Sequence, residues 1–97
     1  MIDSKFKELN LISHIGGKLT EYMLGPDDSM RCHRIMYGEK IVVRITETYD
    51  VSTALAWLVG MNTKLDDISP ALVIRSASEE YALINVYNAM QDFLEGQ

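Results

Sequence analysis

The sequence has few of the features that mark secreted or membrane proteins. Its one cysteine, Cys32, cannot form an internal disulfide, so we expect a reducing compartment, the cytoplasm. The longest uninterrupted apolar run, Ala54 to Val59, has six residues, whereas a membrane-spanning helix needs about 20. Residues 1–3 include an acid and no apolar stretch follows them, so we expect neither a secretory signal nor membrane binding.

The motifs of catalysis and metal binding are also missing. The sequence contains no G-x-S-x-G, no glycine-rich phosphate loop and no pairs of Cys or His at zinc spacing. Cys32 and His33 are adjacent in the sequence. Because adjacent side chains on a helix point about 100° apart, the two cannot coordinate one metal ion together. We interpret Cys32 as a small core residue, and Asp66-Asp67 as turn residues rather than metal ligands. The prediction is a protein that is not an enzyme and uses no cofactor or metal.

What the chain does contain is an ordinary globular composition with its acids concentrated in one half. With 97 residues, of which 47% are hydrophobic and 24% charged, it is expected to form one domain. Residues 1–45 carry seven basic against six acidic side chains, a sum of +1, whereas residues 46–97 carry two against eight, a sum of −6. The acidic half either favours a basic partner surface or only keeps the protein in solution.

Helical spacing of apolar residues runs through the first half of the chain. A first helix, with apolar residues at positions 6, 9, 12 and 15, is interrupted by the glycines at positions 16 and 17. A short amphipathic helix over 19–24 then meets the turn sequence Gly25-Pro26-Asp27-Asp28. The next helix is predicted from Ser29 to Gly38, with the glycine as its stop.

Helix, four-residue turn and helix together outline a helix-turn-helix, in which the second helix enters the major groove of DNA. Short helix pairs are common, however, so a pair chosen for packing alone is an equal alternative. The candidate groove and phosphate contacts are Arg31, His33, Arg34, Lys40 and Arg44.

Residues 40–46 fit two patterns. Ile41, Val43 and Ile45 alternate as they would in a strand, and two of the three recur with Tyr49 on one helical face that continues towards Val59. No other segment offers a strand partner, and an isolated strand is not stable, so we predict a helix here. The whole chain is therefore predicted to be all-α, with five or six helices in one compact unit.

In the stretch from Ala54 to Arg75, several residues have the types that specific positions of helices, caps and turns require. An apolar block containing Trp57 is expected to be buried on most sides, and Asn62 opens a polar loop in which Leu65 returns to the core. Ser69 and Pro70 have the properties of a helix cap and a first helical residue.

The closing helix is predicted to follow a capping box, Ser76-Ala77-Ser78-Glu79, and to run to about Leu94. Its apolar stripe is broad: positions 81, 84, 87, 90 and 94 line one face, and positions 83, 86 and 93 widen it. Such a stripe is either an interface or a deeply buried face of the monomer. Together with six methionines it leads us to expect a homodimer or a larger oligomer.

The composite motif W-L-x-G-x-N-x-x-L-x-x-x-S-P-x-x-x-I-R, residues 57–75, resembles the toxin-binding domain of Xre/MbcA/ParS-type antitoxins. The resemblance implies a helix-turn-helix-like part, residues 1–45, that binds operator DNA, and a toxin-binding part, residues 46–97, in one compact unit. It further implies a partner toxin, commonly of the NAD-consuming RES type. The alternative is a stand-alone transcriptional regulator without a toxin. The side chains expected to face a toxin are Asp66, Asp67, Arg75, Glu79 and Glu80.

Two departures from the family pattern bear on these expectations. Thr63 stands where the family often has proline, which loosens the loop modestly. Residues 27–40, the region of the expected recognition helix, sum to zero charge because three basic residues are offset by three acids. Phosphate neutralisation supplies most non-specific affinity for DNA, so weak or lost DNA binding is an alternative to the operator binding that the resemblance implies.

Overall fold

Six α-helices make up most of the described chain, which in this computed structural model comprises the backbone of residues 2–96 and the side chains of residues 4–96. No strand occurs within that range, so the all-α prediction is confirmed. None of these helices is long and apolar enough to cross a membrane. The elements are α1 (Ile2–Ile15), α2 (Gly17–Leu24), α3 (Arg31–Thr48), α4 (Val51–Val59), a 3₁₀ turn (Thr63–Leu65), α5 (Pro70–Ser76) and α6 (Glu80–Leu94).

Helix α3 is the centre of the fold and contacts each of the other five α-helices. It continues without interruption through Gly38, so the predicted helix end at this glycine is wrong. The missing side chain serves packing instead: a Cβ there would lie 3.1 Å from Met23 Cε and 3.5 Å from Leu11 Cδ1. Residues 40–46 belong to the same helix, as predicted. The division of the chain after residue 45 consequently falls inside α3.

Backbone breaks separate the other helices. Gly16, with φ of 88°, divides α1 from α2 where the two glycines predicted an interruption. Asp50 begins α4, because its side chain accepts a hydrogen bond of 2.9 Å from the Thr53 backbone N–H. This bond and a second one from the Thr53 hydroxyl lower the pKa of Asp50. The helical face predicted to run on from Ile41 to Val59 is therefore cut in two.

The core is formed by buried aliphatic side chains, and the single tryptophan is not among them. Within α4, Ala54 and Leu58 are fully buried, whereas Trp57 is half-buried and Val59 is 59% exposed. The prediction of an apolar block buried on most sides is wrong, because α4 packs on the core with one face only. Cys32 is likewise exposed rather than part of the core.

The loop after α4 is fixed by its own side chains. Asn62 accepts a 3.0 Å hydrogen bond from the Lys64 N–H and so caps the 3₁₀ turn, whose Leu65 is 8% exposed. Ser69 accepts a 3.2 Å bond from the Leu72 N–H at the start of α5, and Pro70 is its first residue. Each of these side chains has the local role that its residue type predicts.

The junction of α5 and α6 differs from the expected capping box. Ser76 is the last residue of α5, and the residue preceding α6 is Glu79, which makes no side-chain capping bond. The capping-box prediction is wrong because α5 extends as far as its first serine. On α6, the residues buried against the core are Leu83, Val86, Ala89 and Met90, while Tyr81 and Ile84 remain exposed.

Candidate functional site

Arg34, expected to read DNA, is buried inside the protein. Arg34 is 2% exposed to solvent. Its Nη1 donates hydrogen bonds to the carbonyl oxygens of Leu24 at 3.1 Å and Pro26 at 3.2 Å. Both terminal nitrogens also donate to the carboxylate of Asp28, at 2.9 and 3.1 Å, and Nη2 donates to the carbonyl of Ala77 at 2.9 Å. The guanidinium therefore joins the α2–α3 turn to the α5–α6 junction. Its assignment as a DNA contact is corrected to a structural role.

Arg31 is also engaged within the protein. Its Nη1 donates to the carbonyl of Gly25 at 3.0 Å, and its Nη2 lies 3.6 Å from the carboxylate of Glu8 and 3.7 Å from that of Glu21. The neighbouring His33 is half-buried, and its Nδ1 has no hydrogen-bond partner among the described residues. The start of α3 thus presents compensated charge rather than a basic face.

Lys40 and Arg44 complete the set expected to contact DNA. The ammonium of the exposed Lys40 lies 5.2 Å from the ring centre of Tyr87, a cation–π contact. Arg44 is half-buried, donates to the Tyr87 hydroxyl at 3.4 Å and lies 3.9 Å from the carboxylate of Glu47. The structure places these two side chains beside α6. They lie about two and a half and three and a half turns away from Arg31 along α3.

The bond between Arg34 and Asp28 predicts an acid-sensitive contribution to stability. The Arg34 guanidinium lowers the pKa of Asp28 below its ordinary value of 3.8. Stability from a depressed carboxyl pKa is fully present above that ordinary value and is lost as pH falls through the folded-state pKa. We expect Asp28→Asn to unfold at lower urea concentration than wild type at about pH 7, with the difference shrinking at about pH 2.5. A difference that stays constant over this range would contradict the assignment.

An apolar groove with a cavity volume of about 320 Å³ lies between α5 and the start of α6. Ile68, Leu72 and Tyr81, which line it, are exposed by 41%, 39% and 63%. We refer to this feature as the α5–α6 groove; its apolar lining is Ile68, Leu72, Val73, Ala77, Tyr81 and Ala82. The sequence pattern does not distinguish Ile68 or Leu72 from core residues, because an apolar residue beside a helix start looks like a core residue until its neighbours are known.

One acid lines the α5–α6 groove and two more stand in the loop that leads into it; we refer to Asp66, Asp67 and Glu79 as its acidic rim. Glu79 is part of the lining, and the two aspartates directly precede Ile68. Both aspartates are exposed and have left-handed backbone conformations, with φ of 60° and 64°. Hydrogen bonds from Asp67 N–H to the Asn62 carbonyl (2.9 Å) and from Ile68 N–H to the Leu65 carbonyl (3.1 Å) hold this loop in place.

The other two residues expected to face a toxin have partners inside the chain. Glu80 accepts a 2.8 Å hydrogen bond from the hydroxyl of Tyr37, which raises the pKa of that tyrosine. Arg75 donates to the carbonyl of Tyr22 at 2.7 Å, and its guanidinium carbon lies 4.9 Å from the centre of the Tyr22 ring. Arg75 thus contacts α2, so of the five predicted residues Glu79 lines the groove and Asp66 and Asp67 stand in the loop before Ile68.

A second exposed surface contains aromatic side chains. The Phe93 ring lies 5.5 Å from that of Tyr49 and 6.1 Å from that of Trp57, measured between centroids, and Met61 beside them is 83% exposed. The acid nearest in sequence to Phe93 is Asp92, which pairs with Lys64 at 3.2 Å. Asp50 also lines this surface and has no Lys or Arg within 4.0 Å among the described residues, but its carboxylate accepts hydrogen bonds from the Thr53 N–H and hydroxyl.

Comparison with models of protein families, with curated proteins and with solved structures finds no match to this chain. Within the described part of the chain, no group of three or more His, Cys, Asp or Glu side chains is arranged to hold a metal ion. The contacts within this molecule are therefore the evidence for the candidate site.

Proposed function

We propose that the protein is an antitoxin that binds a toxin and blocks its activity, and that the α5–α6 groove is its binding surface. The toxin expected from the sequence resemblance is of the NAD-consuming RES type. The observation that carries the proposal is that the resembling motif, residues 57–75, ends in the loop and helix that form one wall of this groove.

Local structure in the motif supports this proposal. Asn62 caps the 3₁₀ turn, Leu65 anchors the loop to the core, and Ser69 caps α5. These roles leave the two aspartates of the acidic rim and Ile68 on the outside of a fixed loop. Pre-organised surfaces of this kind bind tightly because less conformational freedom is lost on association.

Co-expression in a bacterial host with the product of the adjacent gene tests the proposal. We expect that product to arrest growth alone, and the wild-type antitoxin to restore growth and to co-purify with it. Leu72→Ser combined with Tyr81→Ser should reduce both effects. The control pair Val59→Ser and Met61→Ser, two exposed apolar residues outside the groove lining, should preserve them. If the adjacent product neither arrests growth nor co-purifies, the antitoxin function is refuted.

A separate prediction concerns the stand-alone regulator, the alternative function. Arg31 and Arg34 donate hydrogen bonds to backbone carbonyls within the chain, whereas Lys40 and Arg44 contact only side chains. Lys40 and Arg44 are therefore the remaining candidates for phosphate contacts among the arginines and lysines predicted to bind DNA. We expect the logarithm of the affinity for the promoter duplex to fall with the logarithm of salt concentration at a slope of about −2. The double variant Lys40→Ala and Arg44→Ala should bring the slope close to zero, whereas Arg31→Ala should leave it unchanged. If the slope for the wild type were steeper than about −4, the protein would make more phosphate contacts than these two residues supply. That result would favour the stand-alone regulator over the antitoxin.

The homodimer predicted from the sequence stays a prediction. Most of the broad apolar stripe of α6 packs against the core of the same chain. This burial removes part of the reason for expecting a homodimer. Light scattering decides the matter, because a monomer would have a mass near 11.0 kDa.

A further inference from the structure

The acidic rim differs from most other acids of the protein in having no cation beside it. Within the described residues, none of the carboxylates of Asp66, Asp67 and Glu79 lies within 4.0 Å of a basic nitrogen. Six other acids are each paired with a Lys or Arg: Glu8, Glu21, Asp28, Glu39, Glu47 and Asp92. The nearest cations in sequence have other partners, since Lys64 pairs with Asp92 at 3.2 Å and Arg75 contacts Tyr22. The fold therefore leaves negative charge uncompensated beside its α5–α6 groove.

The groove offers apolar surface next to this charge. Leu72 and Tyr81 lie on its two walls, one on α5 and one on α6, and Ile68 extends the apolar surface up to the two aspartates. A side chain buried between these walls would bring flanking groups of the same partner close to the rim. Apolar contacts in the centre with charges at the edge are the usual arrangement of protein interfaces.

From this combination we propose that the α5–α6 groove binds an amphipathic segment of a partner protein that carries Lys or Arg beside large apolar side chains. The inference rests on the proposed function, in which the segment belongs to the toxin. Nucleic acid does not fit, because its phosphates would face the carboxylates of the rim. A second copy of the chain presenting the same groove would oppose like charges across a two-fold axis.

The charge requirement can be separated from folding by neutral replacements. Asparagine tolerates the left-handed backbone of Asp66 and Asp67 better than most residues, and Glu79 makes no capping bond, so Asp66→Asn/Asp67→Asn/Glu79→Gln should keep its fold. The control, Glu47→Gln/Asp92→Asn/Glu95→Gln, removes the same number of charges elsewhere, two of them from ion pairs with Arg44 and Lys64. Asp92 lies about 20 Å along α6 from Glu79, since a helix rises about 1.5 Å per residue.

The probe is a fluorescent amphipathic peptide of about 18 Leu and Lys residues, long enough to form a helix on binding, with a Leu and Glu peptide as its counterpart. Titration of the full-length protein should show saturable binding of the Leu–Lys peptide and none of the Leu–Glu peptide. The triple rim variant should weaken binding by about tenfold at low salt, since exposed ion pairs each contribute modestly, and the control triple by about twofold. Leu72→Ser/Tyr81→Ser should weaken it at least as much as the rim variant, unlike Val59→Ser/Met61→Ser.

Three results would overturn the proposal. The first is that both triple variants weaken peptide binding equally, and the second is that duplex DNA displaces the peptide from the groove. The third is that Leu72→Ser/Tyr81→Ser abolishes a homodimer but leaves peptide binding intact. Circular dichroism and urea unfolding verify that every variant is folded. The titration requires no toxin, so it fails independently of the antitoxin function. Peptide binding without growth rescue would refute only the antitoxin function, and growth rescue without peptide binding would refute only the proposed segment.

Discussion

Replacing Arg34 with alanine is expected to lower the free energy of unfolding by about 4 kcal/mol. The carbonyls of Leu24 and Ala77 would lose a buried donor, and each buried polar group left without a partner costs about 1–3 kcal/mol. The cavity left by the side chain adds to this cost. Urea unfolding followed by far-UV circular dichroism measures the change.

Two further variants of α3 serve as controls. Arg34→Lys keeps the charge but cannot reproduce the forked set of donors, so we expect an intermediate loss. Arg31→Ala removes partly exposed contacts and should cost about 1 kcal/mol or less. If Arg34→Ala were no more destabilising than Arg31→Ala, the structural role of Arg34 would be disproved. Any loss of DNA or toxin binding in Arg34→Ala should accordingly be judged only after its folding has been measured.

Gly25→Ala is expected to cost about 3 kcal/mol. Gly25 ends α2 with φ of 64° and ψ of −151°, a conformation that is almost restricted to glycine and costs other residues about 1–3 kcal/mol. A Cβ atom at this position would also lie 3.0 Å from the carbonyl oxygen of Arg75, a backbone atom that cannot move aside without shifting α5. Thermal and urea unfolding of the purified variant measure this loss.

Gly17→Ala is the matched control for that experiment. Gly17 is the first residue of α2, and a Cβ there would meet no atom within 4 Å. Because alanine favours the helix and restricts the unfolded chain, the variant should be more stable than wild type by up to about 1 kcal/mol. A Gly25→Ala variant as stable as Gly17→Ala would show that the α2–α3 turn can relax, contrary to its contacts with Arg34 and Arg75.

Much of the secondary structure was determined by local sequence. Gly16, Asn62, Ser69 and Pro70 act on backbone groups within a few residues of themselves, so their residue types alone predict where helices and turns begin and end. Residues 40–46 were assigned correctly to a helix because no second segment could pair with them as a strand. Local sequence also placed Asp66 and Asp67 in a turn, which is where the structure has them.

Contacts between distant segments decided the rest. Gly38 predicted a helix end, but it lies within α3 because Met23 and Leu11 of other helices need the space of a side chain there. Ser76 and Glu79 match a capping box in sequence, yet the first of them completes α5. Periodicity reports that a residue lies on an apolar face, but it does not report which neighbour covers that face.

Because a sequence pattern does not show which neighbours cover a residue, the sequence could support only some of the functional predictions. It determined that the acids of residues 46–97 outnumber the basic residues. Only the tertiary structure decided that Arg34 is buried, because its acceptors come from the α2–α3 turn and from Ala77, 43 residues away. Likewise, the α5–α6 groove exists only because the packing of α5 and α6 leaves Leu72 and Tyr81 exposed, while Leu83 on α6 is fully buried. A charged or apolar side chain acquires its role from the groups that the fold places around it.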